Sequence, residues 1–175
     1  MNTANKLTMI RVILIPAFLV VLYIGFTGSR YAAMAIFIAA GLTDIADGYI
    51  ARRNNQVTDF GKFMDPLADK ILVLAAMLWF IEQGAMPAWA VLIVVVREFM
   101  VTALRLIALD NGRVIAAAIS GKIKTVVTMV CLTAMFLALE QWMVITCIAA
   151  ITVTTVVSGI EYFVKNKDVF NWKKY

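Results

Sequence analysis

The sequence predicts an all-α integral membrane protein, a bundle of six transmembrane helices with both termini on the cytoplasmic side. Three observations predict it. Hydrophobic residues fill 63% of the 175 positions and charged residues only 15%, giving a mean hydropathy of +0.89, more apolar surface than a water-soluble globule of this length can hide. The apolar residues gather into six runs near 7–27, 31–51, 63–82, 86–109, 122–139 and 141–164, each close to the ~20 residues that cross a bilayer as a helix. The basic residues fall on alternate breaks between those runs, the pattern expected when every second connection faces the cytoplasm.

The first run, Leu7 to Phe26, is long enough for a signal peptide, but no small-residue cleavage pattern leads into a soluble domain, so it is read as a retained helix. Lys6 and Arg11 mark its cytoplasmic end. Arg52, Arg53 and Lys62 mark the break between the second and third runs; Arg113, Lys122 and Lys124 mark the break between the fourth and fifth. Lys165, Lys167, Lys173 and Lys174 follow the sixth, whereas the opposite breaks, around Gly28, Gly84 and Gln141, contribute only Arg30. The net charge of +5 is thus mainly topological, with attraction to anionic lipid headgroups second. A nucleic-acid partner is not expected, because the basic residues flank spans without aromatic interleaving. Six spans consume the length, so residues 1–175 are read as one domain.

Within this scaffold several residues have plain structural readings. Pro16 and Pro66 bend helices, Trp79, Trp89 and Trp142 sit near the external breaks as interfacial anchors, and Trp172 lies on the tail. Cys131 and Cys147 lie in apolar runs, outside any ligand pattern, and are packing residues.

The second and third runs are anomalous, because Asp44, Asp47, Asp65, Asp69 and Lys70 fall inside or at the edge of them. A carboxylate at mid-span costs roughly 2.5–3.5 kcal/mol on insertion scales, so four together require compensation. Asp44 and Asp47 are three apart, Asp65 and Asp69 four apart, which puts each pair on one helical face. The short connection carrying Arg52 and Arg53 brings both pairs to the cytoplasmic side, and Gly41, Gly48 and Gly61 permit close helix approach. A divalent metal offers the strongest compensation for such oxygen ligands. The competing reading pairs these acids with Lys62, Lys70, Arg52 and Arg53 as structural salt bridges.

The segment DIADGYIARRNNQVTDFGKFMDPLAD resembles the signature of the CDP-alcohol phosphotransferases, D-x2-D-G-x2-A-R-x8-G-x3-D-x3-D. All eight fixed positions match: Asp44, Asp47, Gly48, Ala51, Arg52, Gly61, Asp65 and Asp69. Outside it, NKLTMIRVILIP, VREFMVTALRL and SGKIKT resemble the branch made up of bacterial phosphatidylglycerophosphate synthases. The resemblance implies a six-helix membrane core, a homodimer, and a site on the cytoplasmic face of the bacterial inner membrane, open to lipid. It implies CDP-diacylglycerol as donor, glycerol 3-phosphate as acceptor, and Mg2+ or Mn2+, two ions, as cofactor. It further implies that Asp44, Asp47, Asp65 and Asp69 lie at the metals, that Asp69 is the general base, and that Asp47, Gly48, Ala51, Arg52 and Gly61 face the cytidine diphosphate lipid.

An acceptor carrying a phosphate dianion needs cations. The candidates are Arg97 and Arg105 on the fourth run, Arg113 in the loop after it, and Lys122 and Lys124 opening the fifth, with Thr8 and Arg11 approaching from the first. Arg97 and Glu98 are adjacent and are therefore expected to point to different sides of their helix, and the competing reading pairs Arg97 with a site aspartate. For Arg105 and Lys122 the competing reading is interfacial snorkelling. Other acceptors for the same chemistry (phosphatidylglycerol, inositol phosphate or serine) and a membrane transporter are the rival functions.

Overall fold

The computed structural model describes residues 3–54, 59–110, 112, 115 and 118–169, with side chains at 9–10, 12–43, 67–68, 70–110, 112, 115 and 118–169. Six α-helices account for nearly all of these residues: α1 (Thr3–Ile24), α2 (Ser29–Asn54), α3 (Asp59–Glu82), α4 (Ala88–Asp110), α5 (Ile119–Leu137) and α6 (Gln141–Lys165). A short 3-10 turn, Lys167–Val169, follows. Each helix takes up most of one of the six apolar runs, and the connections between them are short, the longest being that from Asp110 to Ile119. Gly84 illustrates how they are made. Its φ of +68° is a left-handed conformation open to glycine, and it lets Gly84 N–H reach Ile81 C=O at 2.9 Å and Ala85 N–H reach Phe80 C=O at 2.9 Å, closing the end of α3.

The helices pack in two groups. α1 lies against α2 and α3, while α6 lies against α4 and α5; α2 against α5 and α3 against α4 join the groups. At the α2–α5 contact the Met129 Cε methyl occupies the space beside Gly41 that a Cβ would fill. A cluster of rings fills the core at the end where α1, α3 and α5 finish. Phe136 is its hub, with ring centroids 4.7 Å from Phe80, 5.6 Å from Trp79, 5.9 Å from Phe37 and 6.0 Å from Phe18; Trp79 is stacked on it, Phe18 meets it edge-on, and Phe80 and Phe37 are tilted. Trp79 corrects an expectation: it is not an interfacial anchor but is only 9% exposed. It belongs to the stripe Leu72, Ala75, Ala76, Trp79 and Phe80, a helical period that turns it inward. Trp89 and Trp142 do stand outward, at 57% and 67% exposure, and Trp172 lies outside the described residues. Cys147 is buried and Cys131 packs beside the same core.

The outer surface is apolar. Phe99, Leu92, Val126, Val130, Val153 and Ile160 are all exposed, far more contiguous hydrocarbon than a monomer surrounded by water presents. Among the described residues α5 and α6 are long and apolar enough to cross a membrane, and Val12–Ile24 and Ser29–Thr43 are shorter apolar helices.

Candidate functional site

The four aspartates stand on adjoining helices. α2 runs through positions 44 and 47, α3 through 65 and 69, and the two helices are in contact. The side chains of Asp44, Asp47, Asp65 and Asp69, and those of Gly48, Ala51, Arg52 and Gly61, lie outside the described residues, as do Arg113 and the side chains of Thr8 and Arg11. Among the described residues no three carboxylate or thiol groups come together as a metal site.

At the residue of α3 that follows position 69, Lys70, the described side chains begin to form a polar network between α3, α4 and α5. Glu98, in the middle of α4, is its centre. Lys124 Nζ, from α5, donates to Glu98 Oε1 at 2.8 Å, and Arg97 Nη1 donates to the same oxygen at 2.9 Å. Lys70 Nζ, from α3, is 3.8 Å from Glu98 Oε2 and donates to Thr102 Oγ1 at 2.9 Å; that hydroxyl in turn donates to the Glu98 carbonyl at 2.8 Å. The side chains of Lys124 and Arg97 are 8% and 12% exposed, so these ion pairs are sheltered from water. Unpaired, each charge would cost several kcal/mol there.

This network revises one expectation. Arg97 and Glu98 are neighbours whose Cα–Cβ bonds diverge around the helix, yet their long side chains fold back and meet. Arg97 is thereby paired with Glu98. It runs between α5 and α6 where both present glycine: a Cβ on Gly121 would stand 3.4 Å from Arg97 Nη2, and one on Gly159 3.3 Å from Arg97 Cγ. Arg97 Nε is buried and has no partner among the described residues.

The other candidate cations are placed differently. Arg105, two turns further along α4, donates from Nε to Tyr162 Oη at 2.8 Å and lies over the Tyr162 ring. Tyr162, absent from the sequence-based candidates, is only 2% exposed, and Val101, Leu104, Ala108 and Val169 pack around it. Lys122 is exposed. Of the predicted cations, then, Arg97 and Lys124 come together around one carboxylate, Arg105 stands apart with a tyrosine, and Lys122 faces outward. Glu98 was legible as an acid inside an apolar run, the same signal that singled out the aspartates, but its partners on α3 and α5 are distant in sequence.

A groove of about 520 Å³ opens between α4 and α6, lined by residues such as Leu92, Val96, Met100, Val156 and Ile160, with Arg97 at its wall. Among the described residues its lining comes from α4 and α6.

Residues 1–157 match the family described as CDP-alcohol phosphatidyltransferase. The CDP-diacylglycerol–glycerol-3-phosphate 3-phosphatidyltransferase of Bacillus subtilis (strain 168) is 39% identical over 190 residues, covering 94% of this chain and 95% of that protein. The protein of the same name from Escherichia coli (strain K12) is 43% identical over 137 residues, covering 75% of this chain and 74% of its own.

Proposed function

This chain belongs to the CDP-alcohol phosphatidyltransferase family, and we propose that it transfers the phosphatidyl group of CDP-diacylglycerol to glycerol 3-phosphate, releasing CMP and forming phosphatidylglycerol phosphate. The observation that carries this reading is the near end-to-end similarity to a relative named for that reaction, together with the eight-position signature, whose positions fall on α2, α3 and nowhere else.

In the reaction the primary hydroxyl of glycerol 3-phosphate attacks the β-phosphorus of the lipid. A bond forms from that oxygen to phosphorus, the bond from phosphorus to the bridging oxygen of CMP breaks, and the hydroxyl proton must be taken up. The chain has no histidine, so a carboxylate is the available base near neutral pH, and Asp69 is assigned that role. Asp44, Asp47 and Asp65, with Asp69 beside them, form an all-oxygen donor set suited to Mg2+ or Mn2+. Two such ions, when bound, supply charge neutralisation at the attacking and leaving oxygens of the in-line displacement. Gly48, Ala51, Arg52 and Gly61 bind the cytidine diphosphate, the small residues giving it room. For the acceptor phosphate the converging Arg97 and Lys124 are the first choice, with Arg105, Arg113, Thr8 and Arg11 as further candidates, while Lys122, exposed on α5, is set aside.

The membrane arrangement that goes with this chemistry is six spans in one domain, both termini in the cytoplasm, in a homodimer of the bacterial inner membrane. The alternating basic breaks and the apolar outer surface support it. The test is purified protein, Mg2+ or Mn2+, CDP-diacylglycerol and competing acceptors. CMP release with preferential incorporation of glycerol 3-phosphate is expected. Incorporation of inositol phosphate, serine or phosphatidylglycerol instead would reassign the acceptor, and no CMP release with any alcohol would leave a transporter as the better reading.

A further inference from the structure

We infer that Glu98 is a positioning residue for the acceptor half of the reaction: it orients Lys124 and Arg97 for the acceptor phosphate and ties them, through Lys70, to the helix that bears Asp65 and Asp69. The inference rests on the function proposed above and adds to it a residue without a role in the signature. Its basis is the geometry of one carboxylate serving three helices. Oε1 accepts from Lys124 on α5 and from Arg97 on α4, at 2.8 and 2.9 Å, and Oε2 faces Lys70 on α3 at 3.8 Å. Lys70 directly follows Asp69 in the chain. The turn of α3 that ends the signature is therefore anchored to α4 twice, by this ion pair and by the Lys70–Thr102 hydrogen bond of 2.9 Å.

Charge counting says why such an anchor serves binding as well as architecture. Three cations meet a single carboxylate, so the cluster is two positive charges in excess among these four side chains. Lys70 is 39% exposed and screened by water, so the sheltered part of the cluster, Lys124 and Arg97 against Glu98, is one positive charge in excess among the described side chains, and such an excess favours an anion such as a phosphate. Glu98 occupies one side of Lys124 and one nitrogen of Arg97. The remaining Nζ protons and Arg97 Nε, buried and without a partner among the described residues, are placed to donate elsewhere. With the carboxylate removed, two nearly enclosed cations repel one another and lose their common acceptor, and their donor directions are no longer fixed.

The test is a double-mutant cycle on the full chain in detergent or vesicles, with separate KM values for glycerol 3-phosphate and CDP-diacylglycerol. Glu98→Gln keeps the shape and removes the charge. It is expected to raise KM for glycerol 3-phosphate about tenfold, less than the loss of a direct charged contact because Glu98 acts through its neighbours, while KM for the lipid changes less than about twofold. Because Glu98 acts through Lys124, adding Glu98→Gln to Lys124→Met is expected to cost little beyond Lys124→Met alone. Glu98→Asp keeps the charge on a shorter arm and is expected to fall between wild type and Gln; it also completes the cycle should the Gln variant fail to fold. An unchanged or lowered acceptor KM, equal rises in both KM values, or additive effects in the cycle would each overturn the inference. Failure of the underlying function looks different, because wild-type protein would then release no CMP with glycerol 3-phosphate at all.

Discussion

Arg105 and Tyr162 are held together in two ways, by a 2.8 Å hydrogen bond from Nε to the phenol oxygen and by the guanidinium carbon lying 5.5 Å from the ring centroid. Tyr162 is in turn fixed by the small apolar cluster around it, so α6 aims an arginine of α4. If Arg105 grips the acceptor phosphate, Arg105→Ala raises KM for glycerol 3-phosphate by about tenfold or more, the range expected for a charge-assisted contact, and raises that for the lipid less. Tyr162→Phe keeps the ring and loses the oxygen, and a smaller rise of about two- to fivefold follows. Steady-state kinetics in mixed micelles measures both, and an unchanged acceptor KM in Arg105→Ala removes Arg105 from the site.

Asp69→Asn separates base from ligand. Turnover is expected to be abolished while binding of CDP-diacylglycerol is partly kept, since three carboxylates remain to hold metal. Equilibrium binding of labelled CDP-lipid alongside CMP release makes the comparison, and equal loss of both would mean that Asp69 is chiefly a ligand.

Removing divalent metal with EDTA is expected to stop CMP release, with Mg2+ or Mn2+ restoring it and Ca2+ poorly able to, because its longer bonds and higher coordination number suit a different cage. Asp44→Asn and Asp65→Asn should each raise the Mg2+ concentration for half-maximal rate by at least about tenfold, given that even indirect supports of a metal change affinity 10–100-fold. A metal titration of the three proteins decides it.

Phe136→Ala tests the core. It removes the ring on which Trp79, Phe80, Phe37 and Phe18 converge, and a loss of about 3–5 kcal/mol is expected from the cavity alone. Thermal unfolding in detergent should show a clearly lowered Tm, with KM values of the surviving folded protein near those of wild type because the ring cluster contributes nothing to the polar network.

Most of the helical architecture was legible in the apolar runs, and the differences are informative. The third run was expected to start near 63, yet α3 begins at Asp59; the second was expected to end near 51, yet α2 continues to Asn54. Hydropathy marks the portion suited to lipid, whereas backbone hydrogen bonding carries helices on through polar turns such as Asp59–Lys62. Nearness to a break did not predict the setting of Trp79, because the face a residue occupies depends on its helical phase. At the site, the pairing of Arg97 with Glu98 was hidden by adjacency, since side chains of that length can bridge a divergence of their Cβ atoms. The anchoring of Lys70 and Lys124 required knowing that α3, α4 and α5 converge, which no local spacing contains.

The inward turn of Trp79 gives the protein two optically distinct sets of indoles. Trp89 and Trp142 face outward, within reach of brominated acyl chains in a reconstituted bilayer, while Trp79 is stacked on Phe136 behind protein. Brominated lipid will quench the outer emission and spare the inner one, so in a Trp172→Phe background, which removes the fourth indole, the fluorescence that survives reports on the aromatic core.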